Sequence, residues 1–164
     1  SFTYAKFGAN GLERVDISDV QAETSTEWDI AFRRYYVRLN SGVSGPSCVA
    51  AARLPDGTTF DSVTTVDSAL VFEKERYFTD SCVKVDDGSG LGGPAFVLSS
   101  FWTYPGCVKM TGNVFVVQLA DGRHLKLEVT RYYSQANQDT CQATNTISTP
   151  SGAGSLLVRW AYLP

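Results

Sequence analysis

The alternation of apolar and polar residues is clearest in residues 27–42. Trp28, Ile30 and Phe32 fall on one face of an extended chain, and the residues between them fall on the other. Aromatic and β-branched residues of this kind suit a pleated, half-buried surface. Residues 40–42, an Asn-Ser-Gly run that tolerates tight turns, end the segment. The pattern predicts one long strand that leaves the core and has a partly exposed end.

The strongest hairpin signal lies in the second half of the chain. Residues 113–119 and 124–130 are both rich in leucine and valine, and in the second run these apolar residues alternate strictly with polar ones. Between them, the Asp121-Gly122 step is typical of a tight β-turn. The two runs therefore predict a pair of antiparallel strands.

Weaker patterns complete a chain dominated by strands. Further extended segments are predicted at residues 2–7, 13–17, 48–54, 60–66, 95–104 and 154–163. Residues 67–78 form the one plausible helix, which Asp67 or Ser68 can cap, although its helical period is weak. Residues 134–153, rich in small polar residues, are predicted to be a long loop. For 164 residues this indicates one all-β domain, residues 1–164, with at most one short helix.

Composition and charge argue against two classes of protein. The chain is 43% hydrophobic and 19% charged, which is typical of a globular domain, and its net charge is -3. A nucleic-acid binder needs a clustered basic face, whereas Arg33, Arg34 and Arg38 form a small basic group that we interpret as solvated. No segment approaches the ~20 apolar residues of a spanning helix. The abrupt start at Ser1, inside a predicted strand, is what we expect of a processed or trimmed chain.

Four widely spaced cysteines indicate an oxidising compartment. Cys48, Cys82, Cys107 and Cys141 form no C-x-x-C pair, so zinc-ribbon and thioredoxin chemistry are disfavoured. Three pairings are possible, and we favour Cys48–Cys82 and Cys107–Cys141, which have equal sequence separations. Each bridge would stabilise the fold by about 3–4 kcal/mol. The alternative is four free thiols in a cytosolic protein.

Signals of catalysis are weak. His124 is the single histidine, so any hydrolytic triad would need it, and its place beside the hairpin turn favours a solvated side chain. Asp86 and Asp87 are an adjacent acid pair in a Gly-rich loop, residues 86–94, which lacks the ligand spacing of a calcium loop. No phosphate-binding loop or metal-ligand cluster is visible. The chain is therefore predicted to be a binding module and not an enzyme.

Aromatic residues at the junctions of loops and strands are the best candidates for a binding surface. They are Tyr35, Tyr36, Tyr77, Phe78, Trp102, Tyr104, Tyr132 and Tyr133. Tyrosine and tryptophan in such places suit flat apolar ligands or protein partners. For any single one of them, however, filling the core of a small β domain is the more common role.

Two segments of the chain together resemble a known family. The first is Trp-Asp-Ile-Ala-Phe at residues 28–32 with Asn-Ser-Gly at 40–42, and the second is the hairpin at 114–127 with Tyr-Tyr at 132–133. Residues 60–63 and 157–162 are similar more loosely. In this order, the segments resemble the HmuY family of bacterial haem-binding proteins. The resemblance covers most of the chain.

The resemblance implies a β-rich, hand-like fold in a secreted or outer-membrane lipoprotein that captures haem between finger-like loops. Its implied partners are haem, a haem-carrying protein and an outer-membrane receptor. Family members supply two axial ligands, His or Met, from those loops. His124 is therefore one candidate for binding the cofactor, although it matches a position that is usually aromatic. Met110 and Tyr104 lie where members often place a ligand, and Tyr77 lies in the other candidate loop. A thioether or a phenolate can ligate haem iron, but Met110 can also simply fill a gap.

Three functional hypotheses follow from the sequence. The first is a non-enzymatic haem-binding protein of the HmuY type at the bacterial cell surface. The second is a surface β module that keeps the fold but binds a protein, a glycan or its own copies, which the absence of a histidine pair favours. The third, a hydrolase that uses His124, is disfavoured by the solvated position of that residue.

Overall fold

The computed structural model describes residues 1–86 and 96–164, which form a β-dominated, antiparallel structure. The strands are β1 Thr3–Phe7, β2 Leu12–Val15, β3 Ile30–Arg33, β4 Tyr36–Leu39, β5 Ala50–Arg53, β6 Trp102–Thr103, β7 Lys109–Met110, β8 Val114–Gln118, β9 His124–Arg131 and β10 Leu157–Leu163. The α-helices are α1 Asp19–Ala22 and α2 Gln135–Thr144, and 3-10 turns cover Gly42–Ser44, Phe60–Ser62 and Ser99–Phe101. The predicted β-dominated antiparallel fold with long loops is confirmed.

Two four-stranded sheets enclose the main core. One has the strand order β2-β1-β3-β4 and the other the order β10-β9-β8-β5, and their inner faces share one cluster of buried side chains. Trp160 of β10 packs edge-on against Phe7 of β1, with ring centroids 4.9 Å apart, and the Tyr162 hydroxyl donates to the Phe7 carbonyl at 2.9 Å. These contacts join the two sheets directly.

The predicted hairpin between β8 and β9 is confirmed. Leu125 and Leu127 are buried in the main core, and Leu125 pairs with Val117 across the ladder. Both faces of β8 are buried, because Phe115 faces the main core while Val116 packs into a second cluster around Phe60. Burial on both faces explains why β8 is almost continuously apolar whereas β9 alternates.

The prediction of one long strand over residues 27–42 is wrong, because the chain reverses within it. β3 and β4 form a hairpin in which Arg33 pairs with Tyr36 around a turn at Arg34 and Tyr35. Arg34 has φ 53°, a left-handed conformation that is uncommon for any residue other than glycine. The reversal places both strands over the same core, so burial on that core overrides the absence of a glycine turn signal.

The helix predicted at residues 67–78 is also wrong. The segment begins with a turn at residues 68–69, and after it Glu73 exchanges backbone hydrogen bonds of 3.0 and 2.8 Å with Ala51 of β5. Leu70 and Phe72 pack against the second cluster, whereas Val71 between them is 74% exposed. Burial therefore alternates along residues 70–72, as it does in an extended chain. This alternation explains why the apolar residues of the segment fit a helical period poorly.

The long loop predicted at residues 134–153 contains α2, the longer of the described helices. Ser134 caps its start by accepting from the backbone N–H of Asn137 at 3.4 Å, and Asn145 ends it in a left-handed conformation with φ 59°. The buried residues of α2 are Gln138 and Cys141. Because the inner face of α2 is largely polar, its sequence lacks the repeat of apolar residues from which an amphipathic helix is predicted.

Two further segments differ from their predictions. The aromatic segment 95–104 contains a 3-10 turn, Ser99–Phe101, and only the short strand β6 in its described part. Residues 60–66 begin with the 3-10 turn Phe60–Ser62. The Gly-rich loop predicted at residues 86–94 and the acid pair Asp86 and Asp87 were a further part of the sequence prediction. Of these residues only Asp86 is among those that the structure describes.

Candidate functional site

A continuous row of aromatic rings runs along one end of the structure. Neighbouring ring centroids are 6.0 Å apart for Tyr77 and Phe96, 5.8 Å for Phe96 and Tyr36, 4.7 Å for Tyr36 and Tyr35, 5.0 Å for Tyr35 and Trp102, and 6.4 Å for Trp102 and Tyr104. We call these six residues the aromatic row. Their spacings are those at which aromatic pairs attract each other.

Three turns and the segment that begins at Phe96 carry the residues of the aromatic row. Tyr35 and Tyr36 belong to the β3–β4 turn, and Trp102 and Tyr104 belong to the segment 102–110, which we call the finger. Tyr77 precedes a turn that a bridge between Phe78 and Lys84 closes. Because these segments are far apart in the chain, only tertiary contacts place their rings side by side.

The finger is a short hairpin made of β6, a connecting loop and β7. Met110 of β7 pairs with Trp102 of β6, so both side chains lie on the same face of the hairpin. Met110 is half-buried and packs against the main core, while Tyr104 in the connecting loop is 48% exposed. The finger therefore presents a thioether beside an indole ring and an accessible phenol.

Of the four residues that the sequence suggested for a cofactor, Met110, Tyr104 and Tyr77 lie on or beside the aromatic row. His124 does not, because its ring packs 5.4 Å from that of Phe72, which belongs to the second cluster. The structure thus places three of the four candidates on or beside the aromatic row, in which Trp102 and Phe96 are buried, and the single histidine against Phe72.

The structure contains one of the two bridges that the cysteine spacing favoured. Cys107 of the finger is bonded to Cys141 of α2, with their Cα atoms 6.1 Å apart and both residues buried. Cys48 and Cys82 are free and exposed, so the second predicted bridge is not formed. Cys48 itself forms a β-bridge with Ser41, whereas Cys82 lies in the turn between Phe78 and Lys84 with φ 61°, so separate backbone elements hold the two thiols.

Cationic groups lie at the β3–β4 turn beside the aromatic row. The Arg34 guanidinium hydrogen-bonds to the Tyr132 hydroxyl, which raises the pKa of Arg34, and this arginine is exposed. The Arg33 guanidinium lies 4.5 Å from the ring centroid of Phe2 and 5.3 Å from that of Tyr36. Two of the arginines that we interpreted as solvated strand charges therefore interact with aromatic residues next to the site, Arg33 through ring faces and Arg34 through the Tyr132 hydroxyl.

A buried carboxyl, which sequence reasoning missed, lies behind the aromatic row. Glu75 is 1% exposed, and its two oxygens accept from the backbone N–H groups of Leu39 at 2.8 Å and Val97 at 2.9 Å. Burial raises the pKa of Glu75 from 4.5 to about 7, although these two hydrogen bonds lower it. Glu75 thus ties β4, which carries Tyr36, to the segment that carries Phe96, and no local sequence signal indicated this.

The aromatic row and its neighbours carry aromatic, thioether, phenol and guanidinium groups. Within residues 1–86 and 96–164, no group of three or more His, Cys, Asp or Glu side chains is placed to hold a metal ion. The described helices are all too short and too polar to cross a lipid bilayer. What the site offers is a set of aromatic faces, a thioether, phenols and guanidinium groups.

A comparison with known protein families identifies the chain's relatives. The model of the family described as "HmuY protein" matches residues 1–146. The chain belongs to the HmuY family. No curated protein sequence matches it.

Solved structures of three bacterial proteins share the fold. A protein from Bacteroides vulgatus described as HmuY-like and heme-binding matches with a TM-score of 0.54 and 19% identity, over 99% of this chain and 84% of that one. The apo HmuY analogue of Tannerella forsythia matches with a TM-score of 0.53 and 17% identity, over 100% and 80%. Apo PinO from Porphyromonas gingivitis matches with a TM-score of 0.51 and 13% identity, over 99% and 81%. At these identities the similarity concerns the fold alone.

Proposed function

We propose that this member of the HmuY family is a non-enzymatic protein that captures haem at the bacterial cell surface. The observation that carries the proposal is the convergence of Met110, Tyr104 and Tyr77 along one aromatic row. Tyr77 belongs to a different part of the chain from Tyr104 and Met110, and the resemblance to the family indicates all three as candidate ligands of haem iron. A haem-carrying protein and an outer-membrane receptor are the partners that such a function implies.

The residues of the site fit the chemical groups of haem. Aromatic rings stack on a flat macrocycle, and the exposed guanidinium of Arg34 suits a propionate carboxylate. The thioether of Met110 and the phenol of Tyr77 or Tyr104 are groups that can ligate iron. Bound haem would supply the iron and the flat macrocycle, while the chain supplies the ligand, the stacking surface and the counter-charge.

We place the protein outside the cytoplasm, either secreted or anchored at the outer-membrane surface. The bridge between Cys107 and Cys141 supports this proposal, since disulfides persist in oxidising compartments and are rare in the cytosol. The membership of a family with cell-surface haem-binding relatives is consistent with the same compartment.

A haemin titration tests the proposal. We expect the wild-type protein to shift the Soret band with a one-to-one end point, and Met110→Ala to lose that shift and to weaken binding by at least about tenfold, because an axial ligand is removed. The matched control is His124→Ala, which removes a candidate ligand on another surface and should titrate like the wild type. A flat, unsaturable titration of the wild type would overturn haem capture.

The turn beside Tyr77 favours a second candidate, a surface module that binds a protein, a glycan or its own copies. Phe78 and Val83 on this turn are 58% and 60% exposed, and apolar side chains exposed together are typical of interaction sites. A flat haemin titration, combined with sedimentation coefficients that rise with protein concentration in the wild type but not in Phe78→Ser, would select self-association.

A further inference from the structure

Every residue on one face of α2 is bonded to the finger. Residues at positions i, i+3, i+4 and i+7 lie on the same side of a helix. In α2 these positions are Gln138, Cys141, Gln142 and Asn145 at its C-cap. Each of the four binds a different residue of the finger.

The contacts follow the finger residue by residue. Cys141 is bonded to Cys107, and the Gln138 Nε2 donates to the Val108 carbonyl at 3.2 Å. The Lys109 Nζ donates to the Asn145 Oδ1 at 2.9 Å. The Gln142 Oε1 accepts from the Met110 N–H at 2.7 Å, and its Nε2 donates to the Met110 carbonyl at 3.1 Å. Four consecutive finger residues, 107–110, are therefore tied to one helical face.

Gln138 also fixes α2 itself to the sheet. It is 2% exposed, and its Oε1 accepts from the backbone N–H groups of Tyr132 at 2.8 Å and Tyr133 at 3.3 Å, directly after β9. The Tyr133 hydroxyl in turn accepts from the Val108 N–H at 2.9 Å. The helix α2 is thus bonded both to the end of β9 and to the finger, and it fixes the finger relative to the sheet.

The geometry of the finger explains why it needs such support. A two-stranded hairpin is marginally stable in water. The Thr111 N–H bonds to the Phe101 carbonyl, so in the next pair, Trp102 and Met110, the backbone groups point away from the partner strand. The side-chain amide of Gln142, with one donor and one acceptor, takes the place of the missing neighbouring strand.

We infer that α2 is a clasp that holds the finger in its ligand-binding position, and that Gln142 is the positioning residue for Met110. The inference rests on the proposed capture of haem at the aromatic row. Because Gln142 bonds both backbone groups of Met110, it sets the direction in which the thioether leaves the finger. The ligand-binding finger is therefore preorganised by side chains of a helix.

Haemin titration of Gln142→Ala against Gln135→Ala tests the inference. Both variants remove one exposed amide from α2, but the Gln135 side chain bonds to Asp139, 2.9 Å away on the same helix. We expect Gln142→Ala to bind haemin about tenfold more weakly and to move the Soret band toward that of Met110→Ala. Gln135→Ala should match the wild type. A Gln142→Ala protein with wild-type affinity and spectrum would overturn the inference.

A measurement without haemin separates this inference from the proposed function. If the wild type fails to bind haemin, haem capture is wrong, and the clasp is decided by amide hydrogen exchange at Met110 followed by NMR. Exchange about tenfold faster in Gln142→Ala than in Gln135→Ala supports the clasp, because the Met110 N–H has lost its acceptor. Equal exchange in the two variants overturns it.

Discussion

A single buried carboxyl, Glu75, joins three segments behind the aromatic row. Besides its carboxylate bonds, its N–H donates to the Ser41 Oγ at 3.3 Å and its carbonyl accepts from Val43 at 3.1 Å. Gly42 packs so closely on this carbonyl that any Cβ there would collide with it, and its φ of 54° also favours glycine. A carboxyl so enclosed should make the stability of the fold depend on pH.

We predict that Glu75 lowers the free energy of unfolding as the pH rises. Its pKa is about 7 in the folded protein and near 4.5 when solvated, so between these values the folded state keeps a proton that the unfolded state has lost. The unfolding free energy of the wild type relative to Glu75→Gln should therefore fall by about 2 to 3 kcal/mol from about pH 5 to about pH 8.

Urea denaturation at several pH values measures this difference. Glu73→Gln is the matched control, since Glu73 is an exposed carboxylate two residues away that pairs with Arg76 at 3.4 Å. Its unfolding free energy should follow the wild type at every pH. Parallel pH profiles for the wild type and Glu75→Gln would contradict the prediction.

At the scale of elements, the finger and α2 behave as one unit. The Cys107–Cys141 bridge is buried between them and closes a long loop that contains β8 and β9. Cys48 and Cys82, by contrast, are exposed thiols. The four cysteines therefore divide into a structural pair and a pair whose removal should leave stability nearly unchanged.

We predict that Cys107→Ser/Cys141→Ser lowers the free energy of unfolding by about 3 kcal/mol, because the unfolded chain regains the entropy that the loop had lost. Cys48→Ser/Cys82→Ser is the matched control and should change it by less than about 0.5 kcal/mol. Urea denaturation compares the two variants. Intact mass supplies a second check: reduction should add two hydrogens to the wild type, whereas four would show that Cys48 and Cys82 also pair.

At the scale of the whole molecule, the two large sheets depend on one another. Their inner faces share the main core, and Phe7 of the first sheet contacts both Trp160 and Tyr162 of the last strand. Neither sheet can bury its apolar face if the other is removed. We therefore expect the chain to unfold as a single domain.

We predict one cooperative thermal transition. Far-ultraviolet circular dichroism, which follows the sheets, and tryptophan fluorescence, which reports on the environments of Trp28, Trp102 and Trp160, should give the same midpoint. The calorimetric and van't Hoff enthalpies should also agree. Two separate transitions would contradict the prediction and assign the sheets to independent units.

The sequence alone was sufficient to predict the β8–β9 hairpin and the family to which the fold belongs. The Asp121-Gly122 turn and the alternating leucines of β9 predict their hairpin because both signals act between neighbouring residues. Trp28 and Asn40, which carried the family resemblance, prove to be scaffold: the Asn40 Nδ2 donates to the Trp28 carbonyl at 2.8 Å, and the Trp28 indole donates to the Ala22 carbonyl at 3.1 Å.

Tertiary structure alone decided the chain reversal at Arg34, the helical state of α2 and the assembly of the aromatic row. Arg34 adopts a left-handed turn because both strands gain burial on the same core, which no local propensity expresses. The inner face of α2 is held by hydrogen bonds and a disulfide to the finger, so hydrophobic periodicity cannot reveal it. Tyr77 and Tyr104 belong to one aromatic row, with Met110 beside it, because contacts between residues distant in sequence hold the finger and the other turns in place.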